Sequence, residues 1–344
     1  MRAVALPANV GSVRPRLTAS PQRHIAAEYL RRSITKQKCT QMNPPAPAFP
    51  TPIARHRLRE PARLRSIRLG DLRITYVPDG FTSLKPSWLP DATSRDWRTY
   101  YDYLDDSGYL AAGIGGLLIE NGQRALLIDS GLGSITIPDD PSNALLGPTR
   151  GGQLIDHLAR LGRTPDQIDA VAFTHLHLDH VGGAATPAPG TELPIFARAE
   201  YLTPALEWSQ WAMALTPEMM TMMKPKVRTF IDGEEVWPGV KAVMAPGHTV
   251  GHSMFSITSR GHRLLVLGDA LHSPIQIQHP RWSAAVDFEP GLSAMHRQKI
   301  VDNLASSGEL AFANHFADVV FGRVNRTSEG KTIWVPYDQP GPAQ

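Results

Sequence analysis

The segment "FTHLHLDHVGG", Phe173–Gly183, carries three histidines and one aspartate within six positions: His175, His177, Asp179 and His180. Imidazole and carboxylate groups crowded in this way are the donors that divalent metals prefer. His175 and His177 are two residues apart, so at the end of a strand they face the same side. Asp179 and His180 are adjacent, and they can turn to a second point once the chain leaves the strand. Gly182 and Gly183 are expected to supply the bend, because a residue without Cβ turns tightly. One short segment serving two points predicts two cations about 3.5–4 Å apart, the separation of two-metal hydrolytic sites.

Four donors are too few for two cations, which call for about seven in all. The remainder are sought in later loops that follow apolar strands, where a rigid scaffold presents its chemistry. "VMAPGHTVGHS" offers His248, "LLVLGDALH" offers Asp269 and "LAFANHF" offers His315. His157 falls in a helical pattern and His262 in a turn, so both read as surface histidines. His252 reads as packing beside His248. No G-x-S-x-G elbow and no phosphate-binding glycine loop occurs, which leaves serine-hydrolase and nucleotide readings without support.

The elements that must carry these residues are legible as alternating runs. "SIRLGDLRITYVPDG" reads as a hairpin about Gly70–Asp71, and "IGGLLIENGQRALLIDSG" as a second about Asn121–Gly122. "GGQLIDHLARLG" has helical spacing and stops at Gly162. "IDAVAFTH" and "LPIFAR" read as strands, with a helix expected from Ala199. "VKAVMAPG", "SMFSITS" and "HRLLVLGD" read as three more strands. "GLSAMHRQKIVDNLASSG" reads as a helix ending at Gly308, and "ELAFANH" and "KTIWVPY" as closing strands. Two groups of strands, each followed by helices, predict an α/β architecture with two sheets face to face and helices outside.

The net charge of +3 conceals a split. Residues 1–70 hold 14 Lys/Arg against 2 Asp/Glu, and the rest holds 21 against 30. The body is acidic, which argues against a nucleic-acid partner. Residues 1–64 form a basic, Pro/Arg-rich leader, expected to be disordered, ahead of a catalytic domain over 65–340. Arg31–Arg32 resembles a twin-arginine signal, but Lys36, Gln37 and Lys38 stand where an apolar segment should follow. Met42 is read as the natural start, with residues 1–41 as upstream translation. The single Cys39 excludes an internal disulfide. No apolar run approaches the roughly 20 residues that cross a bilayer, so no membrane partner is expected and a cytoplasmic location is.

In five ordered elements, "LLIDSG", "THLHLDH", "PGHTVGH", "GD" and "NH", the chain resembles the metallo-β-lactamase-fold hydrolases over roughly residues 65–340. The resemblance implies a four-layer αββα sandwich of two mixed sheets with outer helices. It implies that His175, His177 and His248 hold one metal, that Asp179, His180 and His315 hold the other, and that Asp269 bridges them. Asp129 would orient a ligand imidazole. Finer features ("GDALH", "WVPY") look like the methyl parathion hydrolase and lactonase branch. Aspartate at position 269, where many true β-lactamases of this fold have cysteine, argues against β-lactam turnover.

The expected reaction is metal-dependent hydrolysis of a lactone or ester, or else an organophosphate, by a hydroxide bridging two divalent ions. Zinc leads, with manganese, cobalt or iron as alternatives. Asp179 is the expected proton shuttle. His272 stands where many lactonases of this fold carry tyrosine and is read as the donor to the substrate oxygen. Trp208, Trp211 and Met213, from the Met/Trp-rich "EWSQWAMALTPEMMTMMKPK", are expected to wall a pocket for a small apolar molecule, opposite Trp88, Trp97 and Tyr100. The same apolar cap would equally serve a homodimer interface. The alternative is a mononuclear iron persulfide dioxygenase of the same fold.

Overall fold

The computed structural model describes residues 56–338. The readings placed on Arg31–Arg32, Cys39 and Met42, and most of the 1–64 leader, lie outside these residues. Among the described residues no helix is long and apolar enough to cross a membrane.

The first sheet has nine strands: β1 (Arg65–Leu69), β2 (Leu72–Leu84), β3 (Leu110–Asn121), β4 (Arg124–Ile128), β5 (Thr136–Ile137), β6 (Leu146–Arg150), β7 (Ala170–Ala172), β8 (Glu200–Pro204) and β9 (Val227–Phe230). Its order is β5-β6-β2-β3-β4-β7-β8-β9, with β1 paired to β2. The second has seven: β10 (Glu235–Trp237), β11 (Val240–Met244), β12 (Ser253–Ser259), β13 (His262–Val266), β14 (Leu310–Phe312), β15 (Phe321–Arg326) and β16 (Thr332–Pro336), in sequential order. Both sheets are mixed: β4, β7, β8 and β9 run parallel in the first, and β13 and β14 in the second.

Period-two alternation builds the layers. On β4, Leu126 and Ile128 enter the core between the sheets, while Ala125 and Leu127 enter the outer core under the helices. On β12, Phe255 and Ile257 face the first sheet while Met254 faces the opposite side. The main helices are α1 (Ser94–Thr99), α2 (Leu154–Arg160), α3 (Leu178–Val181), α4 (Ala205–Ser209), α5 (Pro217–Met223), α6 (Ile275–Gln278) and α7 (Pro290–Ser307). Leu154 and Leu158 of α2 cover the first sheet, and Ile300, Val301 and Leu304 of α7 cover the second. The result is the expected αββα sandwich. The helix α7 ends at Gly308, whose left-handed φ of 64° closes the last turn.

Topology brings the donors to one edge. β4 and β7 are parallel, so Asp129 and the 173–180 segment emerge together. β11 and β13 are both antiparallel to β12, and β13 is parallel to β14, so His248, Asp269 and His315 all follow strands of one direction. The Ser253 N–H donates to the Thr174 carbonyl at 2.9 Å and ties the two sheets at this edge.

Three expectations need correction. "LPIFAR" is not a strand and no helix starts at Ala199. Pro194 makes only an isolated bridge to Pro187. Glu200–Pro204 pairs with β7 instead, because Tyr201 and Leu202 fill the outer and inner cores respectively. Gly182 and Gly183 do lie in the turn after α3, but conformational freedom is not the reason for glycine there, since Gly182 has an ordinary helical φ of −57°. They are glycine because the chain passes close: a Cβ would run into the Leu132 carbonyl oxygen at one and the Ser130 carbonyl oxygen at the other. The boundary at 64/65 also falls inside packed chain. Leu58 and Ala62 are buried in the cores, and Arg57 and Arg65 both pair with buried Asp318.

Candidate metal centre

Four histidines at the edge have one ring nitrogen tied back into the protein. Asp129 sits at the turn after β4 with a positive φ of 60°, uncommon for a residue other than glycine. Its carboxylate accepts the Thr174 N–H and hydroxyl, each at 2.9 Å, and His180 Nδ1–H at 2.9 Å. With its proton committed to Asp129, the Thr174 hydroxyl accepts His175 Nδ1–H at 3.0 Å. His315 Nδ1–H donates to the Gly113 carbonyl at 2.7 Å, and His248 Nδ1–H to Asp287 at 2.9 Å. These four rings therefore turn Nε2 inward. His177 uses its other nitrogen: Nδ1 lies 3.0 Å from His248 Nε2.

The inward atoms form two groups, His175, His177, His248 and Asp269 in one, and Asp179, His180 and His315 in the other. Asp269 joins them. Its Oδ2 lies 3.8 Å from His175 Nε2 and 3.4 Å from His248 Nε2, whereas Oδ1 lies 3.1 Å from His180 Nε2 and 3.2 Å from His315 Nε2. Asp179 Oδ2 stands 3.6 Å from His180 Nε2 and 3.5 Å from His315 Nε2. Ligands about 2.0–2.2 Å from a tetrahedral zinc stand roughly 3.3–3.6 Å apart, so the spacing fits a cation in each group. His175 Nε2, His180 Nε2 and Asp269 Oδ1 are buried and have no hydrogen-bond partner. Such orphaned atoms are costly unless a cation takes them.

The electrostatics agree. Burial, then the neighbouring His180, holds His175 well below the ordinary histidine range, and burial takes His248 to about 4, so both are neutral donors. Burial opposes charge on His180 and His315 too, but the carboxylates of Asp269 and Asp179 win and raise both. Burial pushes Asp269 and Asp179 up, yet His180 and His315 bring both below the usual carboxylate range. The field at this edge favours positive charge.

Around the donors, His272 Nε2 lies 3.2 Å from Asp269 Oδ2. Its ring stacks on His315 and meets the edge of Trp88, and neither nitrogen has a partner. Trp97 and Tyr100 belong with Trp88 to an aromatic cluster on this side. Trp208 and Trp211 instead lie half-buried on the outer core of Phe173, Leu176 and Met223, and Met213 is 61% exposed. His157 bonds the Pro78 carbonyl, and His262 is exposed.

Three residues were missed by sequence reasoning. Buried Glu207 on α4 accepts the N–H groups of Leu176 at 3.3 Å and Gly251 at 2.7 Å, clamping two donor loops. Asp287 holds His248 and is itself held by buried Arg297. His248 and Arg297 bring the Asp287 pKa, against burial, to about 2. A lone Glu in a helical pattern and a lone Asp in "AVDFEP" carry no spacing signal.

The chain is 27% identical over 195 residues to an N-acyl homoserine lactonase of Bacillus thuringiensis, spanning 54% of this chain and 74% of that protein. It is 30% identical over 132 residues to a hydroxyacylglutathione hydrolase of Aeromonas salmonicida (strain A449), spanning 38% and 42%. Among solved structures, the dizinc quorum-quenching lactonase AidC superposes with a TM-score of 0.69 at 22% identity, covering 81% of this chain and 98% of that one. The hydrolase AbOPH superposes with a TM-score of 0.69 at 23% identity, covering 82% and 100%. At those identities the likeness is one of fold. The metallo-beta-lactamase superfamily model matches residues 117–323, more than half of the chain and every donor-bearing loop, and the chain belongs to that superfamily.

Proposed function

We propose that the protein hydrolyses a lactone, of the N-acyl homoserine lactone class, with a divalent cation in each group of donors and Asp269 shared between them. The observation that carries this is the division of the Asp269 carboxylate, one oxygen toward His180 and His315 and the other toward His175 and His248. Two groups of donors support a cation pair over the single iron of a persulfide dioxygenase. Zinc suits the mixed nitrogen and oxygen donors.

Cations held there supply Lewis acidity, which polarises the substrate oxygen and lowers the pKa of a water toward about 7. The remaining work falls to the chain's own groups. Asp179 is the most accessible of the carboxylates, with a side chain 30% exposed, and it stays ionised at neutral pH. It is the group that takes the proton and passes it to the leaving alcohol. His272 has two free ring nitrogens beside Asp269 and donates to the substrate oxygen. Its stacking on His315 and its edge contact with Trp88 set the direction of that donor. Exposed Leu178, Leu206 and Phe288 flank the donor loops and offer apolar surface for an acyl chain.

The test is zinc-loaded protein assayed against N-acyl homoserine lactones, aryl esters and phosphotriesters. A kcat/KM for the lactones about tenfold or more above the others is expected. A phosphotriester preference would overturn the substrate class. One iron per chain, with oxygen consumed on addition of glutathione persulfide, would overturn the hydrolase.

A further inference from the structure

Arg297 is a fully buried arginine in the middle of α7, and two of the groups it bonds, the Ala270 carbonyl and the Asp287 carboxylate, lie next to donors of the metal centre. Its Nε donates to the Ala270 carbonyl at 2.7 Å, and Ala270 directly follows Asp269. Its Nη1 donates to the carbonyls of Pro280 at 3.1 Å and Trp282 at 2.8 Å. Its Nη2 donates to Asp287 Oδ2 at 3.1 Å and to Ser293 Oγ at 2.8 Å. The other oxygen of Asp287 holds His248 Nδ1. The loop of His248 is closed on the chain leading into this helix and on its first turn: the Phe288 N–H donates to the His248 carbonyl at 3.0 Å, and a Cβ on Gly247 would run into the Ser293 backbone.

A guanidinium is planar and presents its N–H groups in a fixed fork, so these bonds set one another's directions. We infer that Arg297 is a positioning residue that acts mainly on the first group: through Asp287 it fixes His248, and through Ala270 it steadies the loop of Asp269, which both groups share. The second group is anchored elsewhere. His180 is held by Asp129 and His315 by the Gly113 carbonyl, neither of which touches Arg297. The Asp269 loop has a second anchor in the bond from its N–H to His252 Nε2 at 2.9 Å, which does not involve Arg297. His248 of the first group therefore has a support tied to α7 that the second group lacks, whereas the turn after β4 reaches His180 directly and His175 through Thr174. This inference rests on the cation pair proposed above, but not on the substrate.

Zn²⁺ is the probe. R297M, R297K and D287N are equilibrated at fixed free Zn²⁺ set by a chelator. Two constants are read by stepwise competition, and crystals grown under the same conditions give the anomalous occupancy at each position. In R297M the position bounded by His175, His177 and His248 weakens about 10- to 100-fold, the usual consequence of losing support behind a ligand, while the other changes less than about threefold. R297K restores part of the loss. Equal weakening at both positions, or no weakening in a variant with an unchanged melting temperature, overturns the inference. If R297M does not fold, D287N carries the same readings, because it keeps the Arg297 bonds to Ala270, Pro280 and Trp282. A protein that binds two zinc ions in this pattern yet hydrolyses no lactone leaves the inference standing and removes the substrate proposal. A wild type that binds one zinc removes both.

Discussion

The backbone N–H of Asp269 donates to Nε2 of His252 at 2.9 Å, while Nδ1–H of the same ring donates to the Ala245 carbonyl at 3.0 Å. His252 thus clamps the loop of Asp269 to the loop of His248 and spends both nitrogens doing so. Burial holds its pKa down at about 3, so it is a neutral ring. His252→Ala leaves a donor and an acceptor buried without partners, at about 1–3 kcal/mol each. Urea unfolding is expected to report a loss of at least about 2 kcal/mol, and an unchanged midpoint would refute the clamp.

Asp269→Ala removes the carboxylate shared by the two groups of donors. Elemental analysis should then find close to one cation per chain in place of two, with hydrolysis reduced by about a hundredfold or more. Two ions and full activity in this variant would show that Asp269 is not shared.

Glu207 is a buried carboxylate that accepts from Leu176, Gly251 and the Thr249 hydroxyl. Hydrogen bonds to a charged group contribute about 1.5–3 kcal/mol each. Glu207→Ala should cost about 2–4 kcal/mol, and Glu207→Gln about half as much, since one carbonyl oxygen remains as acceptor. Chemical denaturation measures both, and an equal loss for the two variants would point to packing instead.

Gly183→Ala tests the close approach behind α3. The new methyl would meet the Ser130 carbonyl, which is backbone and cannot rotate away. A loss of about 1–3 kcal/mol or more is expected. A variant as stable as the parent, by thermal melting, would mean that the loops separate at little cost.

His296 on α7 is in neither group of cation donors. Burial, then the nearby Lys299, lowers its pKa from the ordinary 6.5 to about 4. The unfolded chain therefore binds the proton first. The stabilisation is complete above pH 6.5 and is lost as pH falls through about 4. His296→Gln should shrink the stability difference between pH 7 and pH 4 by about 1–3 kcal/mol, allowing for its partial exposure. An unaltered difference would exclude it as a source of acid sensitivity.

Much of the donor set follows from the chain alone. The spacing of His175, His177, Asp179 and His180, and the strand-end positions of His248, Asp269 and His315, depend on local periodicity and residue chemistry, which a sequence displays directly. The hairpins about Gly70 and Gly122 and the helix ending at Gly308 are visible for the same reason. "LPIFAR" misled because pairing with β7 is decided by which neighbour fills both cores, and Tyr201 and Leu202 do. Gly182 and Gly183 are conspicuous in the sequence and do lie in a turn, but what requires glycine there is the close approach of the Leu132 and Ser130 carbonyls, far along the chain. Glu207, Asp287 and Arg297 look like ordinary polar residues until the fold buries them. Their partners lie on segments far along the chain, and the low dielectric of the interior, which gives such bonds their strength, exists only once the sheets have closed.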